Sequence, residues 1–263
     1  MSERPLRIVV SGCSGRMGSL ILSEALQHPD QFEPTGALEH AGHPSIGQPV
    51  SGKPGLRVSD NLPELLKKAD LLIEFTTPAA SLSHAECAAA AKVPVVIGTT
   101  GFTEEQFKKL KGLSRTVAIF WSPNMSIGIV IVRRAIAAIS ELLFGFGLGN
   151  ETKVAISETH HTQKKDRPSG TAKALAQELL QVTGWLVRDE EIEAKREGET
   201  IGIHSVTFHC PSEKITLTHE ATDRQVFAQG ALLVAHNFHK LGSKPNWYGM
   251  DDFVKFIQKS RPR

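Results

Sequence analysis

The stretch LRIVVSGCSGRMG occupies residues 6–18 and decides the fold of the chain. Its first half, Leu6–Ser11, is a short apolar run rich in β-branched residues, which predicts a buried strand. Its second half has a glycine at every third position: Gly12, Gly15 and Gly18. Such a glycine cluster predicts a tight turn, and the apolar residues that follow recur at helical spacing from Met17 to Ala25. The stretch therefore predicts a strand, a glycine turn and a helix in direct succession.

Short apolar runs and helix-like segments alternate through the rest of the first half of the chain. The runs predicted to be strands are 71–75, 93–97 and 117–121. Between them, the alanine-rich segment 81–91 is typical of a helix, and Thr103 with Gln106 has the capping-box form that opens one. Strands that alternate with helices indicate a parallel sheet with helices on both faces. The sequence therefore predicts an α/β fold, a Rossmann-type doubly wound parallel sheet.

The pattern changes near Ile127, which predicts a second domain of α+β type carrying a mixed sheet. Residues 129–143 are apolar on nearly every side, so we expect a helix buried between layers. A strand at 152–158 and a helix at 171–183 follow, and the alternation around Pro211 predicts an antiparallel hairpin. The predicted dinucleotide-binding domain is 1–126 with 229–263, and the predicted substrate-binding and oligomerisation domain is 127–228.

Composition excludes several classes of protein. Of 263 residues, 40% are hydrophobic and 22% charged, as in an ordinary globular protein. Lys and Arg number 30 against 28 Asp and Glu, which argues against a nucleic-acid partner. No apolar run is long enough to cross a bilayer, and the N-terminus does not have the pattern of a secretory signal. The three scattered cysteines form no C-x-x-C pair, so we expect a reduced, cytoplasmic protein with no membrane partner.

The glycine turn predicts a dinucleotide site. Glycine lets backbone N–H groups approach a pyrophosphate at a helix N-terminus. Glu39 ends the next candidate strand, 21 residues beyond Gly18, where a carboxylate can accept the ribose hydroxyls. The competing interpretation is a tight turn that binds nothing, and the strand before and the helix after favour the site over it. The ligand this predicts is a dinucleotide.

Small polar loops follow the later strands of the first domain. They are Thr76–Pro78, Gly98–Gly101 and Ser122–Met125. Ligands of open parallel sheets bind beyond the carboxyl ends of the strands, so these loops are candidates for holding the nicotinamide end of the dinucleotide. For any one loop, plain turn residues are the alternative interpretation.

The densest group of chemically active residues is ETHHTQKKDRPSGTA, at 158–172. His160 and His161 are neighbours near a strand end and point to opposite sides, so we predict no metal site. Imidazole titrates near neutrality, lysine can donate a proton, and the segment from Pro168 to Thr171 opens a helix whose N–H groups attract a carboxylate. The segment predicts an acid–base and anion site, with a solvated basic loop as the alternative. Other histidines, including His204, are interpreted as core or surface residues.

These segments together resemble one family, 4-hydroxy-tetrahydrodipicolinate reductase (dihydrodipicolinate reductase), of the diaminopimelate route to lysine. The matching pieces, in family order, are Gly12–Gly18, Phe75–Pro78, Val96–Phe102, Pro123–Gly128 and Glu158–Ala172. The last piece is highly specific and makes the basic-loop interpretation improbable.

The resemblance implies roles for particular residues. The proton donor maps onto His160 or Lys164, and the groups that hold the substrate's carboxylates map onto His161, Ser169, Gly170 and Thr171, with Lys164 contributing. The cofactor-binding residues it implies are Gly12, Cys13, Ser14, Gly15, Arg16, Met17, Glu39, Gly98, Thr99, Thr100, Ser122, Pro123, Asn124 and Met125.

The implied activity is that of an NAD(P)H-dependent oxidoreductase. Hydride passes from the nicotinamide to an unsaturated cyclic dicarboxylate while an enzyme acid protonates the adjacent carbon, in a cleft that must close. Two alternatives stay open: another two-domain NAD(P)-dependent dehydrogenase, and a non-catalytic NAD(H)-binding regulator. Only the reductase requires the acid pair together with the anion site.

Two departures from the family pattern matter. His40 follows Glu39 where many relatives have arginine, so we expect NADH to be used at least as well as NADPH. A stretch that relatives carry after Gly198 is nearly absent. Because that stretch lies in the domain with which the family builds its tetramer, we expect a homo-oligomer with an altered or smaller interface.

Overall fold

The computed structural model describes residues 4–241 and 244–260. The remaining residues of the predicted first domain, at 1–3, 242–243 and 261–263, lie outside the described part of the chain. The chain divides into two compact units, which we call unit 1 and unit 2. Unit 1 comprises 1–125 with 227–263, and unit 2 comprises 126–226.

The elements of both units follow one another along the chain as strands β1–β12 and helices α1–α8. In chain order they are β1 (Leu6–Ser11), α1 (Arg16–Gln27), β2 (Phe32–Leu38), β3 (Pro49–Val50), β4 (Lys53–Ser59), α2 (Leu62–Leu66), β5 (Leu71–Glu74), α3 (Pro78–Ala91), β6 (Val95–Ile97), α4 (Glu104–Leu113), β7 (Ile119–Trp121), α5 (Ile127–Gly145), β8 (Lys153–His160), α6 (Gly170–Thr183), β9 (Glu193–Arg196), β10 (Gly202–His209), β11 (Lys214–Ala221), α7 (Gln225–Leu241), β12 (Trp247–Tyr248) and α8 (Met250–Lys259).

Unit 1 is built on an eight-stranded sheet of order β12-β7-β6-β5-β1-β2-β4-β3. The pairs are parallel except β3 with β4, which is antiparallel. Ile8, Val9 and Val10 of β1 are completely buried, because a central parallel strand is covered on both faces. The predicted α/β fold with a Rossmann-type parallel sheet is therefore confirmed.

Local sequence signals set where the helices of unit 1 begin. Thr103 Oγ1 accepts a hydrogen bond from the backbone N–H of Gln106, and the Gln106 side chain accepts one from the backbone N–H of Thr103. This reciprocal pair at the start of α4 is the predicted capping box. Helix α1 begins differently: its N-cap is Gly15, which offers no side-chain acceptor. The first N–H groups of α1 therefore have no side-chain cap.

Unit 2 has a four-stranded sheet of order β11-β10-β8-β9. The pairs β10–β11 and β10–β8 are antiparallel and β8–β9 is parallel, so the predicted mixed sheet is confirmed. The predicted hairpin around Pro211 is β10 with β11. Helices α5 and α6 supply the other side of the core, where Ile136 and Leu175 cluster with Ile156, Val206 and Phe208.

Helix α5 departs from expectation. We expected residues 129–143 to be buried on all sides, and this is wrong: Ile131 is 64% exposed and Leu142 57%. The two are eleven residues apart, close to three helical turns, so they share one face. The opposite stripe, including Ile129 and Ile136, is buried. Despite this apolar surface, no helix within 4–241 and 244–260 is long and apolar enough to span a membrane.

Candidate active site

The glycine turn after β1 is tightly built. Gly12 has φ +72°, and a Cβ placed there would lie 2.6 Å from the carbonyl oxygen of Phe75. A Cβ on Gly18 would lie 2.1 Å from the carbonyl oxygen of Gly12. Only glycine fits both positions, so the loop stays close to the uncapped start of α1. The N–H groups of residues 12–15 already have acceptors within the unit, so the groups available for a pyrophosphate are those at the start of α1.

Glu39 lies directly beside this turn. It follows the last residue of β2, and its Oε2 accepts a hydrogen bond of 3.1 Å from the backbone N–H of Ser14. Its Oε1 accepts 3.2 Å from the N–H of His40, whose side chain is exposed. The structure therefore brings together two predicted cofactor residues, Ser14 and Glu39, and leaves the carboxylate partly accessible for ribose hydroxyls.

The predicted strand-end loops are linked to one another. The backbone N–H of Thr76 donates to Thr99 Oγ1 at 3.0 Å, and the Trp121 indole N–H donates to the Thr99 carbonyl at 3.1 Å. Farther along the chain, Ser122 Oγ donates to the Asn124 carbonyl at 2.6 Å. These bonds hold the loops after β5, β6 and β7 at the carboxyl edge of the sheet, where ligands of such sheets bind.

A buried charge beneath these loops was missed. Glu74, the last residue of β5, is completely buried. Its Oε2 lies 2.8 Å from His84 Nδ1, its Oε1 accepts a hydrogen bond from the Thr76 hydroxyl, and Ser11 Oγ lies 3.0 Å from His84 Nδ1. The signal available in the sequence was the single charge inside the apolar run of β5. The group fixes the start of the loop that carries Thr76.

In unit 2, the acid candidate His160 shares one face of β8 with Glu158, because side chains two apart in a strand point the same way. Both are buried, and His160 Nδ1 lies 2.6 Å from Glu158 Oε2. His161, on the opposite face, is half-buried. Burial raises the pKa of Glu158, but its contacts with His160, Ser169 and Arg196 outweigh burial and lower that pKa to about 2. Glu158 is therefore an anion at neutral pH.

Arg196 on β9 ties the loop of Lys164 to this carboxylate. Its Nη2 donates to Glu158 Oε1 at 3.0 Å and to the Asp166 carbonyl, and its Nε donates to the Lys164 carbonyl at 3.2 Å. The Lys164 ammonium itself lies 2.8 Å from the Asp166 carboxylate, and three-quarters of its side chain is covered. The second acid candidate thus sits on the same loop, already facing a carboxylate.

The predicted anion site lies at the start of α6. Ser169 is the N-cap, with its Oγ accepting 3.2 Å from the Ala172 N–H, and Gly170 and Thr171 form the first turn. His204, interpreted as a core residue, is buried but contacts this turn: its Nε2 lies 3.2 Å from Ser169 Oγ. Burial, with a smaller effect of His160, lowers the pKa of His204 to about 3, so it is neutral.

Two groups bring one carboxylate and two histidines close enough to ligate a metal ion. They are Glu39, His40 and His43, and Glu158, His160 and His204; in each group the candidate ligand atoms lie within 4.8 Å of one another. In the second group, Arg196 already supplies positive charge to the carboxylate. The predicted absence of a metal site stays a prediction. Sequence reasoning weighed the adjacent pair His160 and His161 and, as a weak hint, His236 with His239. It missed both groups because it did not combine Glu39 with the two histidines after it, and because His204 meets Glu158 and His160 only in the folded sheet.

A glycine turn on a Rossmann-type sheet, combined with a second unit that carries candidate acid–base residues, is typical of one class of protein: oxidoreductases that use a nicotinamide dinucleotide. Within that class, the family model described as dihydrodipicolinate reductase, N-terminus, matches residues 6–125, and the one described as its C-terminus matches 128–254. The chain belongs to the dihydrodipicolinate reductase family.

Relatives across bacteria and archaea support this assignment. A 4-hydroxy-tetrahydrodipicolinate reductase of Ralstonia nicotianae is 34% identical, covering 95% of this chain and 99% of that protein. One of Archaeoglobus fulgidus is 35% identical, covering 95% of this chain and all of that protein (100%). Among solved structures, the dipicolinate-bound dihydrodipicolinate reductase of Paenisporosarcina sp. TG-14 matches with a TM-score of 0.73 at 24% identity, covering 95% and 99% of the two chains. That structural likeness supports the fold.

Proposed function

We propose that the protein reduces 4-hydroxy-tetrahydrodipicolinate to tetrahydrodipicolinate in the diaminopimelate route of lysine biosynthesis. Water is eliminated, with the 4-hydroxyl leaving together with a proton of the adjacent carbon. A hydride from the nicotinamide then adds to the carbon that lost the hydroxyl, and an enzyme acid returns a proton to the adjacent carbon. The observation that carries the proposal is the buried Glu158–His160 pair beside the N-terminus of α6, in a chain of this family. This pair places a candidate acid, His160, next to a helical turn that can bind a carboxylate.

Unit 1 holds the cofactor in this proposal. The turn from Gly12 to Met17 contacts the pyrophosphate, and Glu39 accepts the ribose hydroxyls. The loops Gly98–Thr100 and Ser122–Met125 hold the nicotinamide end. The cofactor supplies the hydride; the residues of the chain bind and orient it.

Unit 2 holds the dicarboxylate. Its two negative charges are met by Lys164, by His161 and by the first turn of α6 at Ser169, Gly170 and Thr171. The Lys164 ammonium lies 2.8 Å from the Asp166 carboxylate, so a substrate carboxylate must share the ammonium with Asp166 or displace that residue from it. His160 or Lys164 donates the proton.

The test is loss of reduced-nicotinamide absorbance when a coupled synthase supplies the cyclic substrate. Lys164→Ala should lower kcat by roughly 10²–10⁴, the usual contribution of general acid catalysis, while NADH binding survives. Lys153→Ala, which removes an exposed lysine from the same unit, is the matched control and should keep wild-type kcat. No turnover by the wild-type protein would refute the function, and full activity of Lys164→Ala would refute the assigned role.

We infer that NADH serves at least as well as NADPH. A 2′-phosphate would lie near Glu39, where negative charge repels it, and the neighbouring His40 offers weaker pairing than the guanidinium of arginine. The kcat/KM ratio of the two cofactors measures this preference. His40→Arg should raise kcat/KM for NADPH and leave that for NADH nearly unchanged; a strong NADPH preference of the wild-type enzyme would contradict the inference.

A further inference from the structure

Glu158 is the one side chain that touches three separate parts of the site among the residues described in unit 2. Its Oε2 faces His160 on its own strand, at 2.6 Å. Its Oε1 accepts from the backbone N–H of Ser169 at 3.1 Å, at the start of α6, and from Arg196 on β9 at 3.0 Å. We propose that Glu158 is a positioning residue that sets, with one carboxylate, both the orientation of the acid His160 and the shape of the anion-binding turn.

This inference rests on the proposed function and gives a role to Glu158, which that function leaves without one. Glu158 is 1% exposed, so the substrate does not reach it, and any effect on turnover passes through its neighbours. A buried carboxylate is costly unless it is paired and hydrogen-bonded, and here the Arg196 guanidinium, itself 6% exposed, provides the charge that keeps it ionised. The arrangement is therefore compatible with a fixed anion.

The contact with His160 determines where the ring carries its proton. Glu158 Oε2 and His160 Nδ1 are buried and 2.6 Å apart without the alignment of a hydrogen bond, and neither has another hydrogen-bond partner among the described residues. Two lone pairs would repel one another at this distance, so we expect Nδ1 to carry a proton towards the carboxylate. Nε2 is then the nitrogen that accepts a second proton, and the ring acts as an acid by passing that proton from Nε2 to the substrate. Gly202 on β10 leaves space on that side, since a Cβ there would lie 3.0 Å from Nε2.

The contact with Ser169 acts on the substrate side. The hydrogen bond from the Ser169 N–H to Glu158 fixes the position of Ser169, whose hydroxyl caps α6. The cap in turn sets the direction in which the N–H groups of the first helical turn point. The same Arg196 that pairs with Glu158 also donates to the carbonyls of Lys164 and Asp166, so the loop of the second acid candidate is tied to this carboxylate. The Glu158 carboxylate thus fixes the position of the acid relative to the subsite that binds the substrate's carboxylate.

Glu158→Gln tests the proposal. The amide keeps the shape but has one acceptor oxygen, so it cannot satisfy His160 together with Ser169 and Arg196. We expect kcat to fall at least about tenfold, and up to the full 10²–10⁴ of acid catalysis. The inhibition constant of pyridine-2,6-dicarboxylate should rise, while the NADH dissociation constant, set by unit 1, should not change. The matched control is Glu193→Gln, since Glu193 is an exposed carboxylate on β9 that pairs with Lys195.

Wild-type kcat and unchanged dicarboxylate affinity in Glu158→Gln would overturn the proposal. A wild-type enzyme that turns over no substrate would instead refute the proposed function, so the two failures are distinguishable.

A measurement on the wild-type protein keeps the proposal testable if Glu158→Gln does not fold. In a ¹⁵N-histidine NMR spectrum, with the His160 signals assigned by their loss in His160→Gln, the neutral ring should carry its proton on Nδ1. Free imidazole side chains favour the Nε2–H form. Finding His160 in the Nε2–H form would overturn the proposal whatever the behaviour of the variants.

Discussion

At the scale of the residue, the partners of each buried group decide which charges the site carries. His204 and Glu158 lie close together, with 3.9 Å between His204 Nε2 and Glu158 Oε2, yet one is neutral and the other is an anion. The difference has a physical cause: Glu158 is paired with Arg196, whereas His204 is buried beside another histidine. Burial disfavours the charged form of both groups, and only Glu158 has partners that outweigh it.

The neutral state of His204 predicts sensitivity to acid. Its pKa falls from 6.5 in the unfolded chain to about 3 in the folded one, mainly through burial. Between those values the unfolded chain binds a proton that the folded chain does not, so the free energy of unfolding falls as pH falls from 6.5 towards 3. We expect His204→Gln to flatten this dependence by up to about 1.4 kcal/mol per pH unit.

Urea unfolding at a series of pH values between about 6.5 and 4 measures the slope. His209→Gln is the control, since His209 lies exposed on the same strand and its replacement should leave the slope at the wild-type value. A His204→Gln protein with the wild-type slope would show that another group carries the acid sensitivity.

At the scale of the element, the glycine turn predicts a test of the cofactor site. A Cβ on Gly18 would overlap the Gly12 carbonyl oxygen, 2.1 Å away, so Gly18→Ala must move backbone. Such overpacking costs about 1–3 kcal/mol, which corresponds to a rise of roughly 5- to 150-fold in the NADH dissociation constant when the turn must keep its wild-type shape to bind. Fluorescence titration of NADH measures it.

Gly112→Ala is the matched control, because Gly112 lies in helix α4 with nothing within 4 Å of its would-be Cβ. There the same substitution should stabilise the protein by roughly 0.5–1 kcal/mol and leave NADH affinity unchanged. Equal NADH affinity in Gly18→Ala and the wild type would contradict the cofactor role of the turn.

Elements with local signals were predictable from the sequence, and long-range contacts were not. The run that forms β1, the glycine turn and the Thr103 cap each depend on neighbours within a few residues, so periodicity and capping patterns were sufficient. The partners of Glu158 on β9 and β10 come together only when the sheet forms. The exposed face of α5 was mispredicted because composition does not reveal how much core is available to cover a helix.

At the scale of the whole molecule, the exposed apolar side chains of unit 2 predict association between copies of the chain. Large apolar residues exposed in this unit are Ile131, Leu142, Phe144, Phe146, Leu180, Val182 and Leu186. Contiguous apolar surface marks interaction sites in folded proteins, and we expect these side chains to contribute to such a surface. The sequence predicts that this contact is altered or smaller than in relatives, because of the segment expected to be short after Gly198.

We therefore expect a homo-oligomer that weakens when this surface is made polar. The double variant Ile131→Ser with Phe146→Ser should show a lower mass than the wild type by light scattering at equal concentration, because both side chains lose apolar area that association would bury. Leu233→Ser, at an exposed leucine of unit 1, is the control and should keep the wild-type mass. A wild-type monomer would contradict the predicted oligomer, and an unchanged mass of the double variant would place the contact elsewhere. Comparing kcat of the double variant and the wild type then measures whether association supports turnover. The proposed site is formed from residues of one chain, so we expect the two kcat values to be similar.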